Sequence, residues 1–294
     1  MSARDSEDRI FSHVPQEQRL LFSRFHERHS TKAIEVDGKP WSYFSCGQGS
    51  TTLLFLAGAF LRADMWFYAI GELENQFRIL APDSNMLVGL SPSAALEAIP
   101  RIMKEEGVST VTVIGLSAGG GMAQLLLQRY PDLVDDVVLS HTGVLDARPG
   151  LEAQIRRLTR IVKLLPIALV QRVLAKRTSG TCTVTTPWRV FHDAYFHQST
   201  VAVTKPMVLD FLRFSLSLRK NFSFEPTALR AWRGCTLIMT SKDDSVTFGS
   251  VEQLRERFPQ SRVHVFESGG HHTFMLYPEA YTATLAEFLL ETSS

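Results

Sequence analysis

Gly115-Leu116-Ser117-Ala118-Gly119 is the stretch that decides the fold, because an apolar run, Val111-Thr112-Val113-Ile114, precedes it and a helical pattern from Met122 to Tyr130 follows it. A strand, a sharp turn and a helix in that order are typical of a nucleophile elbow, which exposes a serine hydroxyl at a strained turn. Glycines two residues away on either side let neighbouring backbone pass closely. The stretch therefore predicts that Ser117 attacks a carbonyl carbon, and the alternative is an ordinary glycine-rich turn.

The composition is typical of a globular chain with a large core. The 294 residues are 45% hydrophobic and 21% charged, with a formal net charge of +1. Nucleic acid is not an expected partner without a basic excess, and no membrane-spanning segment is expected without about 18 consecutive apolar residues. The stretch from Met1 to Arg19 does not have the pattern of a signal peptide. Cys46, Cys182 and Cys235 lie outside any C-x-x-C spacing, which favours reduced thiols and a cytoplasmic location.

Hydrophobic periodicity predicts an α/β fold with a mostly parallel, doubly wound sheet, because strands and helices alternate over much of the chain. Such alternation implies right-handed crossover connections. Strands are predicted at residues 32–36, 41–45, 52–56, 77–81, 110–114, 135–140, 236–240 and 262–266, and helices at residues 16–29, 94–106, 122–130, 250–258 and 278–290.

A long helical region interrupts the alternation, and we expect it to be a cap inserted between strands 6 and 7, above the carboxyl edge of the sheet. Its breaks are predicted at Pro166, Ser179-Gly180, Pro187 and Pro206. The predicted organisation is an N-terminal helical extension at residues 1–31, an α/β core at residues 32–146 and 234–294, and the cap at residues 147–233.

A serine nucleophile needs a base, and the loop after the last predicted strand offers one. Ser268-Gly269-Gly270-His271-His272 directly follows the strand at residues 262–266. Flexible glycines allow this loop to fold over the sheet edge, where His271 would take the Ser117 proton and return it to the leaving group. His272 is the alternative base, but the glycine pair positions His271 better.

The base needs a carboxylate that orients it, and Asp243 and Asp244 follow the strand at residues 236–240. Asp244 is preferred because its loop leads directly to the next helix, whereas Asp243 is expected to point to solvent. Both residues are also suited to helix capping or to a turn. Asp146, just beyond the strand at residues 135–140, is a rival acid.

An oxyanion hole needs two backbone N–H groups that point at the developing negative charge. One is expected from Ala118, the residue after the nucleophile, and the other from Ala59 in the loop after the strand at residues 52–56. Phe60 is the adjacent alternative to Ala59.

With Ser117, Asp244 and His271 in that chain order, the sequence resembles the α/β-hydrolase fold superfamily over roughly residues 32–290. Further shared features are Leu54-Phe55-Leu56-Ala57-Gly58 with Trp66 soon after it, Ile79-Leu80-Ala81-Pro82-Asp83, the extra Gly120, and Gly270-His271 with Pro278 beyond it. The family usually has His-Gly where this chain has Ala57-Gly58. The resemblance implies a serine-nucleophile hydrolase, since related dehalogenases and epoxide hydrolases have an aspartate at the elbow.

The substrate depends on the cap, where two sets of side chains are candidates for its binding. Cations at Arg172, Lys176, Arg177 and Arg189 are candidates to bind a carboxylate or phosphate. Aromatic side chains at Phe191, Tyr195, Phe196, Phe211 and Phe214 suit either an apolar acyl pocket or the core of the cap itself. The basic amphipathic helix at residues 151–163 fits a lipid surface, and equally an ordinary cap helix with its charges in water.

We expect no cofactor, because the sequence has no nucleotide-binding loop and its paired histidines, His26 with His29 and His192 with His197, lack the company of carboxylates or cysteines that would make a metal site persuasive. The leading hypothesis is a hydrolase that cleaves an ester, thioester or activated C–C bond through an acyl-enzyme on Ser117, with a small-molecule substrate that has an apolar or acyl portion. The alternatives are a non-catalytic binding or scaffold protein, loosely similar to maspardin in layout, and an acyl transferase or C–C lyase with the same residues.

Overall fold

The computed structural model describes residues 10–83, 91–144, 150–181, 184–221, 229 and 231–292. Asp146 and Cys182, both considered above, lie outside these ranges. Eight strands form one sheet: β1 (Thr31–Val36), β2 (Lys39–Gly47), β3 (Thr52–Leu56), β4 (Arg78–Pro82), β5 (Val111–Leu116), β6 (Val134–Ser140), β7 (Thr236–Ser241) and β8 (Arg262–Phe266). Their order is β1-β2-β4-β3-β5-β6-β7-β8, and β2 alone runs against its neighbours. The predicted mostly parallel sheet is confirmed.

The helices are α1 (Gln16–Arg28), α2 (Phe67–Leu73), α3 (Pro92–Glu105), α4 (Ala118–Arg129), α5 (Leu151–Leu164), α6 (Ile167–Gly180), α7 (Arg189–Ala202), α8 (Lys205–Asn221), α9 (Val251–Arg257), α10 (Thr273–Leu276) and α11 (Pro278–Thr292). α3, α4 and α9 each connect two parallel strands, as such strands require. Within the described ranges, no helix has both the length and the apolar character needed to cross a bilayer.

Helices cover both faces of the sheet, so β3 and β5 are buried at every residue. Successive side chains of a strand point to opposite faces, and those of β3 accordingly enter two different apolar clusters. Phe55 joins the cluster that contains Trp66 and Tyr281, whereas Leu54 joins the cluster that contains Ile99 and Leu126. The core therefore consists of two layers on either side of a rigid sheet.

Between β6 and β7 the chain forms α5 to α8, which confirms the helical insertion. α5 packs on α8 and α6 packs on α7, around a small apolar cluster of Val162, Val170, Val203 and Val208. The break predicted at Pro206 occurs just before it, at residues 203–204, and Pro206 lies in the first turn of α8. A proline is tolerated there since the N–H groups of the first turn have no helical partner. The proposed domain boundaries at residues 147 and 233 stay predictions.

The insertion is not uniformly attached to the core. Two hydrogen bonds fix α7 and the residue before it: Trp188 Nε1–H donates to Glu279 at 2.7 Å in a partly buried position, and the Tyr195 hydroxyl donates to Asp64 at 2.6 Å in a buried one. α5 and α6, in contrast, bury few side chains, Ile155, Val162 and Val170 among them. We call α5 and α6 together the outer cap.

Candidate active site

Four loops that follow parallel strands meet at one edge of the sheet. Ser117 follows β5, His141 follows β6, Asp244 lies in the loop after β7, and His271 lies in the loop after β8. The carboxyl ends of parallel strands are the usual place for ligand sites in open α/β sheets. We call this cluster of four residues the sheet edge.

Ser117 occupies a strained turn between β5 and α4. Its φ of 53° and ψ of −112° lie in a region that residues with a Cβ atom rarely adopt. Hydrogen bonds hold this geometry on both sides, since the Ser117 N–H donates to the Ser140 carbonyl at 3.0 Å and the Thr142 hydroxyl donates to the Ser117 carbonyl at 2.7 Å. The turn places the Ser117 side chain in the cavity above the sheet.

The glycines of the elbow are required by close packing. A Cβ atom on Gly115 would lie 2.6 Å from the Gly119 carbonyl oxygen, and one on Gly119 would lie 2.1 Å from the Leu56 carbonyl oxygen. The extra glycine, Gly120, packs so closely on Thr142 that a Cβ atom would lie 2.6 Å from the Cβ of that residue. The motif therefore reflects the tight contact of α4 with the ends of β3 and β6.

The structure brings Ser117, His271 and Asp244 into one hydrogen-bonded line. The Ser117 hydroxyl lies 2.9 Å from His271 Nε2, and His271 Nδ1 lies 3.0 Å from Asp244 Oδ2. Because an ionised carboxylate only accepts hydrogen bonds, Nδ1 carries the proton and Nε2 is free to accept from Ser117. These positions are the ones that a nucleophile, a general base and an orienting acid require.

Asp244 is held as a buried anion. Its Oδ1 accepts hydrogen bonds from the N–H groups of Val246 at 2.8 Å and Thr247 at 3.2 Å, and its Oδ2 accepts one from the Thr247 hydroxyl. Burial alone would raise the pKa of Asp244, but the hydrogen bonds from His271 and Thr247 and the nearby imidazole charge hold this pKa well below its ordinary value. Asp244 is therefore ionised at neutral pH and orients His271.

Asp243 is exposed, as the sequence predicts, but it also shapes the loop that carries His271, the candidate base. Its carboxylate accepts hydrogen bonds from the N–H groups of Gly269 at 3.3 Å and Gly270 at 2.9 Å. Both glycines have a positive φ, 124° and 56°, which explains the glycine pair in the sequence. Asp243 therefore supports the loop, while Asp244 contacts the imidazole.

His141 is a buried member of the sheet edge that the sequence analysis missed. Tyr281 donates to the Ser140 hydroxyl at 2.9 Å, Ser140 lies 3.0 Å from His141 Nδ1, and His141 Nε2 lies 3.0 Å from the Thr273 hydroxyl. Thr273 in turn donates to the Gly270 carbonyl at 3.4 Å. This chain of hydrogen bonds ends on the residue before His271, so it supports the loop of the candidate base.

The protonation state of His141 follows from its surroundings. Burial, and to a lesser extent the neighbouring His271, lower the pKa of His141 to about 3. His141 is therefore neutral, and a neutral imidazole can accept from Ser140 and donate to Thr273 at the same time. The sequence feature that could have identified His141 is its position directly after β6, because residues of the site also follow β5, β7 and β8.

His272, the alternative base, is engaged elsewhere. His272 Nδ1 lies 2.9 Å from His192 Nε2, and His192 Nδ1 lies 2.8 Å from Asp193. The His272 ring also stacks on Phe196, with 4.1 Å between the ring centroids. Burial and neighbouring histidines lower the pKa of His272 well below its ordinary value. His272 thus connects the base loop to α7 as a neutral side chain.

The cavity above Ser117 has two lobes. Lobe A has a volume of about 330 Å³ and lobe B about 240 Å³. Both are lined by Ala59, Ser117, Arg177, Phe211 and Val246. Lobe A is also lined by Ala118, Gly121, Thr142, Gly143, Val144, Leu151, Phe214, Ser215, Thr247 and Ser250, and lobe B by Gly58, Phe60, Leu61, Leu116, Leu174, Thr178, Thr181, Phe196, His271 and His272.

The residues predicted for the oxyanion hole border this cavity. Ala118 begins α4, where the first N–H groups of a helix have no helical partner and favour negative charge. Ala59 lines both lobes beside Ser117, whereas the alternative, Phe60, lines lobe B alone. The assignment of the two amides stays a prediction.

The structure divides the predicted cap residues. Of the aromatic side chains, Phe196, Phe211 and Phe214 line the cavity, whereas Phe191 and Tyr195 belong to the main core. Of the four cations, Arg177 lines both lobes and Arg189 pairs with Asp193. Arg172 and Lys176 lie on the exposed surface of α6.

One group of possible metal ligands lies on elements that carry no residue of the sheet edge. Potential ligand atoms of His29, Cys46 and Glu74 lie within 4.8 Å of one another. The fold therefore gives His29 a cysteine and a carboxylate as neighbours, which the sequence pattern did not predict. His29 contacts Glu74 at 2.5 Å, and Arg28 contacts it at 2.8 Å. These contacts form an ion-pair cluster that ties α1 to the core.

Comparisons with known proteins agree on one family. The sequence profile of the alpha/beta hydrolase family matches residues 53–284. A curated relative, the pimeloyl-[acyl-carrier protein] methyl ester esterase of Cronobacter sakazakii, is 26% identical over 255 residues, which cover 81% of this chain and 93% of that protein.

Solved structures of esterases have a similar fold. An esterase from Exiguobacterium antarcticum matches with a TM-score of 0.72 at 20% identity, over 90% of this chain and all (100%) of that chain. The carboxylesterase CesB from Bacillus subtilis matches with a TM-score of 0.70 at 16% identity, over 97% of this chain and 98% of that chain.

Proposed function

The chain belongs to the alpha/beta hydrolase family, and from this premise we propose that it is a serine hydrolase that cleaves carboxylic esters through an acyl-enzyme on Ser117. The observation that carries the proposal is the line from Ser117 Oγ to His271 Nε2 at 2.9 Å and from His271 Nδ1 to Asp244 Oδ2 at 3.0 Å. The esterase activity named for the curated relative supports the choice of an ester.

In the first half-reaction, Ser117 Oγ attacks the ester carbonyl carbon while His271 Nε2 takes the hydroxyl proton. Asp244 stabilises the imidazolium that forms, since it accepts from Nδ1–H and is itself ionised. The negative charge on the carbonyl oxygen is stabilised by the N–H groups of Ala118 and Ala59. Collapse of this intermediate expels the alcohol, which receives the proton from His271, and leaves an ester between Ser117 and the acyl group.

The second half-reaction repeats these roles with water. His271 removes a proton from a water molecule, and the resulting hydroxide attacks the acyl carbon. Collapse of the second intermediate breaks the bond to Ser117 Oγ, which regains its proton from His271, and releases the carboxylic acid. The two lobes on either side of Ser117 offer separate space for the acyl and alcohol parts of the substrate.

The two alternatives, a scaffold protein and an acyl transferase, assign different roles to Ser117, His271 and Asp244. A scaffold protein has no need for a buried, ionised Asp244 aligned with a histidine and a strained serine, so the geometry favours chemistry over binding alone. An acyl transferase would use the same first half-reaction but pass the acyl group to an acceptor other than water.

The test is labelling of the protein with a fluorophosphonate probe, followed by hydrolysis of p-nitrophenyl esters of increasing acyl length. We expect wild type to be labelled and Ser117→Ala and His271→Ala to lose both labelling and hydrolysis. Ser245→Ala and His197→Ala change exposed residues of the same types and serve as matched controls that remain labelled. A folded wild type that neither reacts with the probe nor hydrolyses any ester would refute the proposal, and transfer to an added alcohol in preference to water would identify a transferase.

A further inference from the structure

Arg177 is the charged side chain that borders both lobes of the cavity. Among the described residues that line lobes A and B, it is the one member that is a lysine, arginine, aspartate or glutamate. The walls beside it include Phe211, Val246 and Leu174, which are apolar. A guanidinium group therefore faces a cavity whose described lining supplies no carboxylate to neutralise it.

Backbone contacts fix the end of α6 above the candidate base. The Thr181 N–H donates to the Arg177 carbonyl at 3.1 Å, and the Thr181 carbonyl accepts the His271 N–H at 3.4 Å. Arg177 therefore lies one helical turn from a residue that contacts the base loop directly. This connection places the arginine close to the reacting groups even though the outer cap is otherwise loosely attached.

Some arginines of the cap have acidic partners, whereas Arg157, Arg160 and Arg172 form no ion pair with the described residues but do not line the cavity. Arg156 pairs with Glu152 at 2.5 Å, and Arg189 pairs with Asp193 at 2.9 Å. Arg177 forms no ion pair with the described residues. Its place in the last turn of α6 suits the helix dipole. Arg177 and its neighbour Lys176 are both exposed, but Arg177 lines the cavity and Lys176 does not.

We propose that Arg177 forms an anion-binding subsite between the two lobes and that the substrates of this site are esters that carry a carboxylate or phosphate group. This inference rests on the proposed esterase function. A guanidinium group binds both kinds of anion through two parallel hydrogen bonds. The Thr178 side chain, which lines lobe B beside it, offers a hydroxyl as a further donor.

The anion belongs either to the acid part or to the alcohol part of the ester, because Arg177 borders both lobes. Three matched pairs of esters distinguish these sources. Monomethyl adipate against methyl hexanoate tests a carboxylate on the acid part, and carboxymethyl hexanoate against ethyl hexanoate tests one on the alcohol part. 2-Phosphoethyl hexanoate against ethyl hexanoate tests a phosphate on the alcohol part.

We expect wild type to prefer the charged member of at least one pair by tenfold or more in kcat/KM, mainly through a lower KM, and this preference to weaken at high salt. Arg177→Gln should reduce the ratio between charged and neutral esters by at least tenfold, and Arg177→Lys should restore part of it, because an ammonium group attracts the anion but does not match its geometry. Lys176→Gln is the control and should leave the ratio unchanged.

Equal rates on both members of every pair, or a preference that survives in Arg177→Gln, would overturn the subsite. Failure of the esterase function is a separate result, recognised by absent probe labelling and absent hydrolysis of the neutral esters. In that event, calorimetric binding of the same ester pairs to Ser117→Ala and to Ser117→Ala/Arg177→Gln decides the question. Tighter binding of the charged esters that requires Arg177 supports the subsite, and equal binding refutes it.

Discussion

The sheet edge and the outer cap border the same cavity but are built in opposite ways. At the sheet edge, Asp244 is 1% exposed and His271 is 9% exposed, and each is fixed by several hydrogen bonds. On the outer cap, Leu164 is 85% exposed and Val173 is 63% exposed. Segments with few buried contacts open more readily than a packed core. The difference teaches that the groups proposed for chemistry lie in the rigid part, whereas one section of the cavity lining, Leu151, Leu174, Arg177 and Thr178, lies in the adaptable part.

The boundary between these regions does not follow the chain. α7 belongs to the same insertion as the outer cap, yet Phe191 and Tyr195 are buried in the main core. His192 of this helix also contacts His272 at 2.9 Å. By its contacts α7 therefore belongs with the core, and the adaptable part is confined to α5 and α6.

The largest effect that would test this contrast is expected from two adjacent aspartates, Asp244 of the sheet edge and its neighbour Asp243. Asp244→Asn should lower kcat on the order of 10⁴-fold, because an amide does not hold His271 in the required tautomer. Asp243→Asn should lower it only about tenfold, since this residue supports the loop through Gly269 and Gly270. Steady-state kinetics on a p-nitrophenyl ester measures both. Equal losses in the two variants would contradict the division of roles.

A smaller effect is expected from acid, because buried histidines occur at the sheet edge and at α7 but not in the outer cap. Burial lowers the pKa of His141 to about 3 and lowers the pKa values of His192 and His272. In the unfolded chain each of these histidines has a pKa of about 6.5. The unfolded state then binds protons that the folded state does not, so stability is fully present above that pH and is lost as the pH falls towards the folded pKa values.

We expect the free energy of unfolding to fall by up to about 1.4 kcal/mol per pH unit for each buried histidine below about pH 6.5. Urea unfolding at a series of pH values measures this slope. His141→Gln should flatten it, His192→Gln provides a second variant, and exposed His197→Gln should leave it unchanged. A slope that is the same in all four proteins would show that these histidines do not cause the acid sensitivity.

The attachment of α7 predicts a further, smaller effect. Tyr195→Phe removes the hydrogen bond to Asp64, which is 2.6 Å long and buried. Loss of a partner for a buried carboxylate is expected to cost about 1–3 kcal/mol of unfolding free energy. Tyr68→Phe, on a half-buried tyrosine that packs on Trp188, is the matched control and should cost less. Chemical denaturation compares the two, and an equal loss would weaken the view that α7 is fixed to the core.

The smallest effect is expected on the outer cap. Leu164→Ser and Val173→Ser change exposed side chains, so each should alter the free energy of unfolding by less than about 0.5 kcal/mol. Val170→Ser changes a buried residue of α6 and should cost more. Thermal unfolding of the three variants measures the difference. A large loss from Leu164→Ser would show that a contact with another molecule covers this surface.

The residues of the sheet edge differ in how far the sequence alone could predict them. Ser117, Asp244 and His271 could be predicted because each lies in a short loop directly after an obvious strand, and the strand order alone places these loops at one edge. The sheet and the helices could be predicted for a similar reason, since their periodicity is local. His141 could not, because its partner Thr273 lies 132 residues away in the sequence. Apart from its position directly after β6, nothing local distinguishes this histidine from a core residue.

The cap was predictable as helices but not as a binding surface. Four cations were candidates, and only the fold of α6 over the base loop separates Arg177 from Arg172 and Lys176. The aromatic side chains divide between cavity and core for the same reason. Selection of a substrate therefore depends on tertiary contacts that sequence patterns do not contain.

The strained turn at Ser117 has an evolutionary consequence. Glycine adopts a φ of 53° with a ψ of −112° readily, so a glycine at this position would stabilise the chain by about 1–2 kcal/mol relative to serine. In a lineage that no longer uses the hydroxyl group, replacement of the serine by glycine would therefore carry no cost in stability or function and could accumulate by drift. Under the proposed function, a serine retained at this turn would distinguish members of the lineage that use the hydroxyl group from members that have become scaffolds.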